Sequence, residues 1–366
     1  MNPISAFISI TVVLDIIWLL SLIGLPLWMN STLLGVYIPQ EDRQLPQISS
    51  IRRRFLELGL AGAVIGILLA FIAYSLSNGS EGWTLALLLV PQAIGVSIAW
   101  NLTRRQALAL KKERGWKLTD SSKRTAYIGE GRRHSVSGIR PWAYLLHLIV
   151  IAVSWLIVAR NWNHIPNPLP VHFDAAGLPD RYQVKSLGSV YMLNFVQLGM
   201  TLLFFLIHLS LAHMPRRLDP KDPEGSLRKQ KLILTSNTYV LYFVSLIVTL
   251  MFSFMQARST YAFDGTLPLR YFFTFLGVLL VPIVLLLIYV KRKGLTEENM
   301  HQRFGDDQHW RGGLFYYNPQ DPSFMTEKRF GLGWTFNFAR PVSWFIMTAI
   351  VLVPVAAVSA AILLAG

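Results

Sequence analysis

The residues best suited to chemistry are crowded into one short stretch, Pro170-Val-His-Phe-Asp-Ala-Ala-Gly-Leu-Pro-Asp-Arg-Tyr-Gln-Val-Lys185. His172 and Asp174 alternate, so on extended chain they point the same way. Asp180, Arg181 and Lys185 follow Gly177-Leu-Pro, which supplies turn chemistry. Four chemistries fit. One is a metal site of His172, Asp174 and Asp180, with His164 nearby; no HExxH-like spacing backs it, so no resident metal or cofactor is expected. Another is acid–base work with His172 as proton acceptor. The third is a self-satisfied loop, in which Asp180 bonds turn amides and Arg181 and Lys185 pair with Asp174 and Asp180. The fourth is a ligand- or peptide-binding surface made of His172, Asp174, Asp180, Arg181 and Lys185.

A second group consists of polar residues inside apolar runs. Asp15 lies between Val-Val-Leu and Ile-Ile-Trp. A carboxylate at mid-membrane depth costs roughly 2.5–3.5 kcal/mol on insertion scales, so it must face other protein or be protonated. His147 and His208 both fall near the inner ends of their runs, and an Asp15–His pair or proton path is one reading. Neutral packing, with hydrogen bonds from Asn194, Gln197 and Asn237, is the other. A third group, Trp310, Asn318, Asp321, Arg329, Trp334 and Asn337, sits in an aromatic segment punctuated by Gly312-Gly313, Asn318-Pro319 and Asp321-Pro322. Leu314–Tyr317, between turn signals, reads as a short strand.

The elements that must hold these groups are membrane spans. Of the 366 residues 53% are hydrophobic and only 15% charged, and the mean hydropathy is +0.42. That balance excludes an ordinary soluble enzyme. Eight runs are long enough for roughly 30 Å of hydrocarbon: Ile4–Met29, Phe55–Leu76, Trp83–Trp100, Trp142–Val158, Val190–Leu211, Leu232–Met255, Tyr271–Val290 and Val342–Leu364. Pro91, Pro282 and Pro354 should kink three of them. The expected fold is an all-α integral membrane protein of about eight transmembrane helices. Its divisions are 1–141, 142–212, 213–290, 291–341 and 342–366. Short amphipathic helices are expected on the inner face: Ile48, Ile51, Phe55 and Leu56 recur at helical spacing, and Ala107, Leu108, Leu110 and Trp116 would face the membrane.

The formal net charge of +14 suggests nucleic acid until its distribution is followed. With the N-terminus outside and alternating spans, 29 of the 34 Lys and Arg fall in inner connections. The positive-inside rule accounts for this bias without a polyanion partner. Both N- and C-terminus then lie outside, and so does the 170–185 motif. The first run lacks a basic flank and a cleavage site and is expected to remain as a span. The absence of cysteine removes disulfides and thiol chemistry.

Pro170, His172, Phe173, Gly177, Pro179, Asp180 and Lys185 resemble the motif of the bacterial membrane domain of unknown function 1648, which also occurs in SdpI-type immunity and signalling proteins. Asp174 stands where that motif commonly has Asn. Gly313-Leu-Phe-Tyr-Tyr-Asn-Pro-Gln-Asp-Pro322 through Lys328-Arg-Phe-Gly-Leu-Gly-Trp-Thr-Phe-Asn337 resembles a companion domain of unknown function, 5808. The resemblance implies a multi-pass protein of the bacterial inner membrane. In SdpI-type members it implies protection against a secreted peptide and a repressor held at the membrane. The leading expectation is therefore a receptor-like immunity or signalling protein, not an enzyme. Its partners would be the lipid bilayer, an extracellular peptide and a cytosolic regulator, with no nucleic acid. A small-solute transporter using Asp15, His147 and His208 is the alternative, and a membrane enzyme ranks below both.

Overall fold

The computed structural model describes residues 3–24, 32–76, 81–116, 138–174, 177–211, 223–260, 269–293, 307–328, 334–348 and 352. Its helices are α1 (Pro3–Leu19, extended by a π turn to Gly24), α2 (Pro46–Leu76), α3 (Glu81–Glu113), α4 (Leu145–Arg160), α5 (Leu187–Leu211), α6 (Pro223–Thr260) and α7 (Leu269–Arg292). Among the described residues six segments are long and apolar enough to cross a membrane: 46–76, 82–113, 141–160, 187–211, 227–260 and 271–290. The protein is a multi-pass membrane protein. The first expected span appears as a shorter apolar helix, Thr11–Gly24. The last is helical over 341–348 and otherwise lies, with Pro354, outside the described residues. Helices α3 and α7 run through Pro91 and Pro282.

Helices dominate, but the fold is not purely α. Four antiparallel two-stranded hairpins interrupt it: β1 (Thr32–Leu33) with β2 (Val36–Tyr37), β3 (Leu169–Phe173) with β4 (Pro179–Gln183), β5 (Trp310–Arg311) with β6 (Phe315–Tyr316), and β7 (Met325–Glu327) with β8 (Trp334–Phe336). Each is too short for a hydropathy period to reveal, except the β6 strand expected from Leu314–Tyr317.

The chain forms two compact units. One joins 7–124 to 297–340. In it α2 packs on α3 through small residues. Gly59, Gly62, Ala63 and Gly66 are buried, while Val64, Ile65, Leu68 and Phe71 point outward. Lipid tails are as apolar as leucine, so membrane helices associate through close backbone approach and polar bonds. Beyond the span the logic reverses. Leu33, Leu34, Val36, Ile38, Ile48, Ile51, Phe55, Trp100, Leu110 and Trp116 make a conventional apolar core.

That core corrects the surface-helix expectation. Ile48, Ile51 and Phe55 belong to α2, one continuous helix, and are covered by protein. Ala107, Leu110 and Trp116 are buried in the same core, and Trp116 Nε1 donates to Asp42 Oδ2 at 2.5 Å. Amphipathic spacing finds the apolar face but cannot say whether lipid or protein covers it.

The segment 307–340, expected as chain lying at the inner interface, joins this core. Trp100 Nε1 donates to Gly312 O (2.8 Å), and the buried Arg104 guanidinium donates to Leu34 O (2.8 Å). Leu34 and Gly35 have φ of +51° and +76°, the left-handed pair required by the tightest hairpin turn. A Cβ on Gly35 would sit 3.1 Å from both the Arg104 guanidinium and Gly313 O.

The other unit is 1–6, 125–296 and 341–366. Within it α5 and α6 pack extensively, with α4 against both and α7 against α6.

A close backbone approach between α2 and α3 supplies a test. A Cβ on Gly95 would come within 2.8 Å of Gly62 Cα. Gly95→Leu is expected to force α2 from α3 and cost about 1–3 kcal/mol. The thermal midpoint in detergent should fall accordingly. Gly82→Ala, where the added atom meets open space, should leave it unchanged.

Candidate functional site

Hairpin β3–β4 joins α4 to α5. Its pairs are Leu169↔Gln183, Pro170↔Tyr182, His172↔Arg181 and Phe173↔Pro179, with irregular steps around His172. The base is held by apolar burial. Ile165 and Leu169 pack with Val158, Val190 and Tyr191, and Trp155, Trp162, Val171 and Phe195 close around them. At the far end Asp174 organises the turn: its N donates to Leu178 O (2.8 Å), Gly177 N donates to Asp174 O (2.9 Å), and Asp174 Oδ1 accepts from Leu178 N (2.8 Å). Gly177 has φ +81°, which a Cβ would oppose.

The irregular register brings His172 Nδ1 within 2.5 Å of Asp180 Oδ1, with both side chains nearly half exposed. The hydrogen bond from His172 is the main cause holding Asp180 below the usual carboxylate range. A carboxylate with a lowered pKa contributes stability above its unfolded pKa, and loses it as pH falls through the folded value. The tip is therefore expected to loosen only in acid, below about pH 4. Limited proteolysis across pH 7 to 3 should show cleavage near 174–178 rising on acidification. Asp180→Asn should give the same cleavage at every pH.

Lys185 is not paired with an acid, contrary to the self-paired reading. Its Nζ donates to the carbonyls of Trp162 (2.5 Å) and Ile165 (3.2 Å) and lies 5.0 Å from the Trp162 ring centre. Its backbone N donates to Asn167 Oδ1 (3.1 Å). Asp180 bonds a side chain rather than turn amides; Asp174 takes that role. Just beyond, Ser186 and Ser189 bond each other's backbone N at 2.9 and 3.1 Å and cap the start of α5. So Lys185 ties the end of α4 to the start of α5. Lys185→Met strands two carbonyls and is expected to cost about 1–3 kcal/mol. Chemical denaturation in detergent should show this loss, while Arg181→Ala, on the exposed strand, should have little effect.

Among the described residues no three His, Cys, Asp or Glu side chains gather closely enough to hold a metal. His164 stands apart in the 3₁₀ turn Trp162–His164. His172 and Asp180 form a dyad, but the nearby serines already serve as the helix cap.

The interior of the same unit is polar. His147 Nε2 meets Ser245 Oγ at 2.9 Å. Asn194 Nδ2 donates to Ser154 Oγ (3.2 Å) and Gln197 Oε1 (2.9 Å). Gln197 Nε2 donates to Thr249 O (2.8 Å) and Ser253 Oγ (2.7 Å), and Gln256 Nε2 to Val190 O (2.5 Å). His147, Asn194 and Gln197 are fully buried. His208 is also buried, and Tyr144 packs against both imidazoles, with centroids 4.8 Å from His147 and 5.5 Å from His208. Asp15 belongs to the other unit, where its Oδ1 accepts from Gln92 Nε2 at 2.8 Å. Sequence reading named Asn194 and Gln197 only as hydrogen-bond suppliers. It missed Gln92, Ser245 and Gln256; their signal is a lone amide or hydroxyl in an apolar run.

The third group is brought together except for Arg329, which lies outside the described residues. Asn337 is its hub. Its Oδ1 accepts from the N of Asn318 (3.0 Å) and Ala339 (3.2 Å), and its Nδ2 donates to the carbonyls of Asn318, Asp321 and Ser323 at 2.9–3.2 Å. Tyr316 Oη donates to Asp321 Oδ2 (2.9 Å), and Arg340 clamps the carbonyls of Pro319 and Asp321. Trp310 stacks obliquely on Tyr316, and Trp334 is half-buried in β8. This is a self-satisfied polar knot. Asn337→Asp keeps the shape but loses three donated bonds. It is expected to cost about 3 kcal/mol or more, read as rapid proteolysis within 307–340.

Residues 149–198 match the model of a domain of unknown function, DUF1648, and residues 319–344 match a family of unknown function, DUF5808. The first match runs from α4 through hairpin β3–β4 into α5, and the second contains Asp321, Asn337 and Arg340. The chain is also similar to an uncharacterized protein of Archaeoglobus fulgidus, at 26% identity over 161 residues, which is 40% of this chain and 84% of that one. No solved structure matches the chain.

Proposed function

We propose that this protein is a receptor-like, non-enzymatic protein of a bacterial cell membrane, which recognises an extracellular peptide ligand with the β3–β4 face. The observation that carries this reading is the contrast between the ends of the hairpin. Its base is buried and tied to α4 and α5, whereas His172, Asp180, Arg181 and Tyr182 are presented to solvent. A rigid mount with a mixed charged and aromatic edge suits recognition. The same mount makes the ends of α4 and α5 move together, so a ligand that prefers one hairpin position would bias helix packing. A cytosolic regulator would read that change, as in an immunity or signalling role.

Two experiments test it. The chain has no cysteine, so single-cysteine variants report sidedness directly. Tyr182→Cys is expected to react with a membrane-impermeant maleimide in intact cells, and Arg105→Cys only after lysis. For recognition, cells lacking the protein are complemented and challenged with culture supernatant of sister cells. Wild type should restore growth. A His172→Ala/Asp180→Ala protein, present in the membrane at equal level, should not. Equal protection by both proteins would sink the reading.

A further inference from the structure

The buried faces of α4, α5 and α6 share a polar stripe that the hairpin reading does not use. Along α6 it comprises Thr238, Ser245, Thr249, Ser253, Gln256 and Thr260, spaced by 7, 4, 4, 3 and 4 residues. That spacing keeps one helical face. At about 1.5 Å per residue it extends ~33 Å, comparable with the ~30 Å hydrocarbon core. All but Ser253 are at most 2% exposed. On α4 and α5 it meets His147, Ser154, Asn194, Gln197, Thr201 and His208, every one buried.

The stripe holds buried polar atoms that no neighbouring group among the described residues reaches. Ser245 has one hydroxyl hydrogen, and it goes to Tyr242 O at 2.8 Å. Ser245 Oγ therefore accepts from His147, which places the imidazole hydrogen on Nε2 and leaves Nδ1 a bare lone pair in the neutral ring. His147 Nδ1, Asn194 Oδ1, Thr201 Oγ1, His208 Nδ1 and Gln256 Oε1 are all buried and lack a hydrogen-bond partner among the described residues. Asn194 and Gln256 spend their amide hydrogens on Ser154, Gln197 and Val190 O, so flipping those amides would break existing bonds. A seam that only glued helices would supply these atoms with donors from neighbouring side chains. Unpaired acceptors at successive levels of the stripe call for small, mobile donors, and water is the donor that fits between close-packed helices.

We propose that the α4–α5–α6 seam is a proton-conducting path, with internal water between the levels and His147 as the group that takes up the proton. In each passage a hydronium gives its proton to His147 Nδ1 and becomes water. The resulting imidazolium then loses the Nδ1 proton to a water farther along and returns to the starting tautomer, with Nε2 still bonded to Ser245. Nothing is oxidised or reduced. The titratable groups that face His147 are Tyr144 stacked on its ring and Tyr242 at 5.2 Å between centroids, with His208 reached through Tyr144. None is an acid that would pin the imidazolium as an ion pair. The path is independent of ligand recognition at the hairpin.

The full-length protein is reconstituted in vesicles containing a pH-sensitive dye, and a potassium gradient with valinomycin supplies the driving force. Wild-type vesicles should acidify at least tenfold faster than protein-free vesicles. His147→Gln can still donate to Ser245 but takes up no proton, and should reduce the rate at least tenfold. Asn194→Leu should dry the seam and do the same. Wild-type vesicles as proton-tight as protein-free ones overturn the proposal without reference to any variant. So does a folded His147→Gln protein, monodisperse on gel filtration, that conducts like wild type. Conduction in vesicles to which no culture supernatant is added separates this path from the hairpin reading.

Discussion

The constraint on which the structure rests is that lipid rewards no apolar contact between helices. In water, burying leucine drives association; in hydrocarbon the tails solvate leucine equally well. What remains is close approach and hydrogen bonding. Helices α2 and α3 use the first, with Gly62 and Gly95 nearly touching. Helices α4, α5 and α6 use the second, with asparagine, glutamine, histidine and hydroxyl side chains turned inward. In both cases the large apolar residues face out.

The same constraint explains why the polar hairpin is ordered. Outside the hydrocarbon apolar burial again stabilises, and the hairpin base uses it, with Leu169, Ile165, Val190 and Tyr191 in one cluster. Lys185 sits at the changeover. Its ammonium lies over the Trp162 ring and satisfies two carbonyls left open where the chain leaves α4. A cation is used where no helical amide can reach. His172 and Asp180 are thereby left for the exposed edge, and their pairing is local rather than structural support for the whole unit.

Two polar interiors of different character result. The knot around Asn337 is closed, since both functional groups of the hub amide are saturated by backbone. The seam between α4, α5 and α6 is open, since its amides and imidazoles retain acceptors. The first kind specifies a single fold, because any rearrangement strands several groups at once. The second leaves capacity for water and for protons.

By itself the sequence determined that the chain crosses a membrane, located the six described segments long and apolar enough to cross it, and showed that His172, Asp174, Asp180 and Lys185 flank a turn. Hydropathy, charge bias and Gly177 are local signals, and local signals survive without coordinates. It also located the 310–337 segment from its turns and aromatics. Only the tertiary structure decided which group meets which. Lys185 takes carbonyls rather than Asp174, Asp15 takes Gln92, and His147 takes Ser245, 98 residues away. The apolar faces of Ile48–Phe55 and Ala107–Trp116 likewise became core rather than lipid contacts. The physical reason is common to all of these. Periodicity fixes the face a residue occupies on its own helix, whereas its partner depends on the relative rotation and depth of two distant helices, which no local pattern encodes.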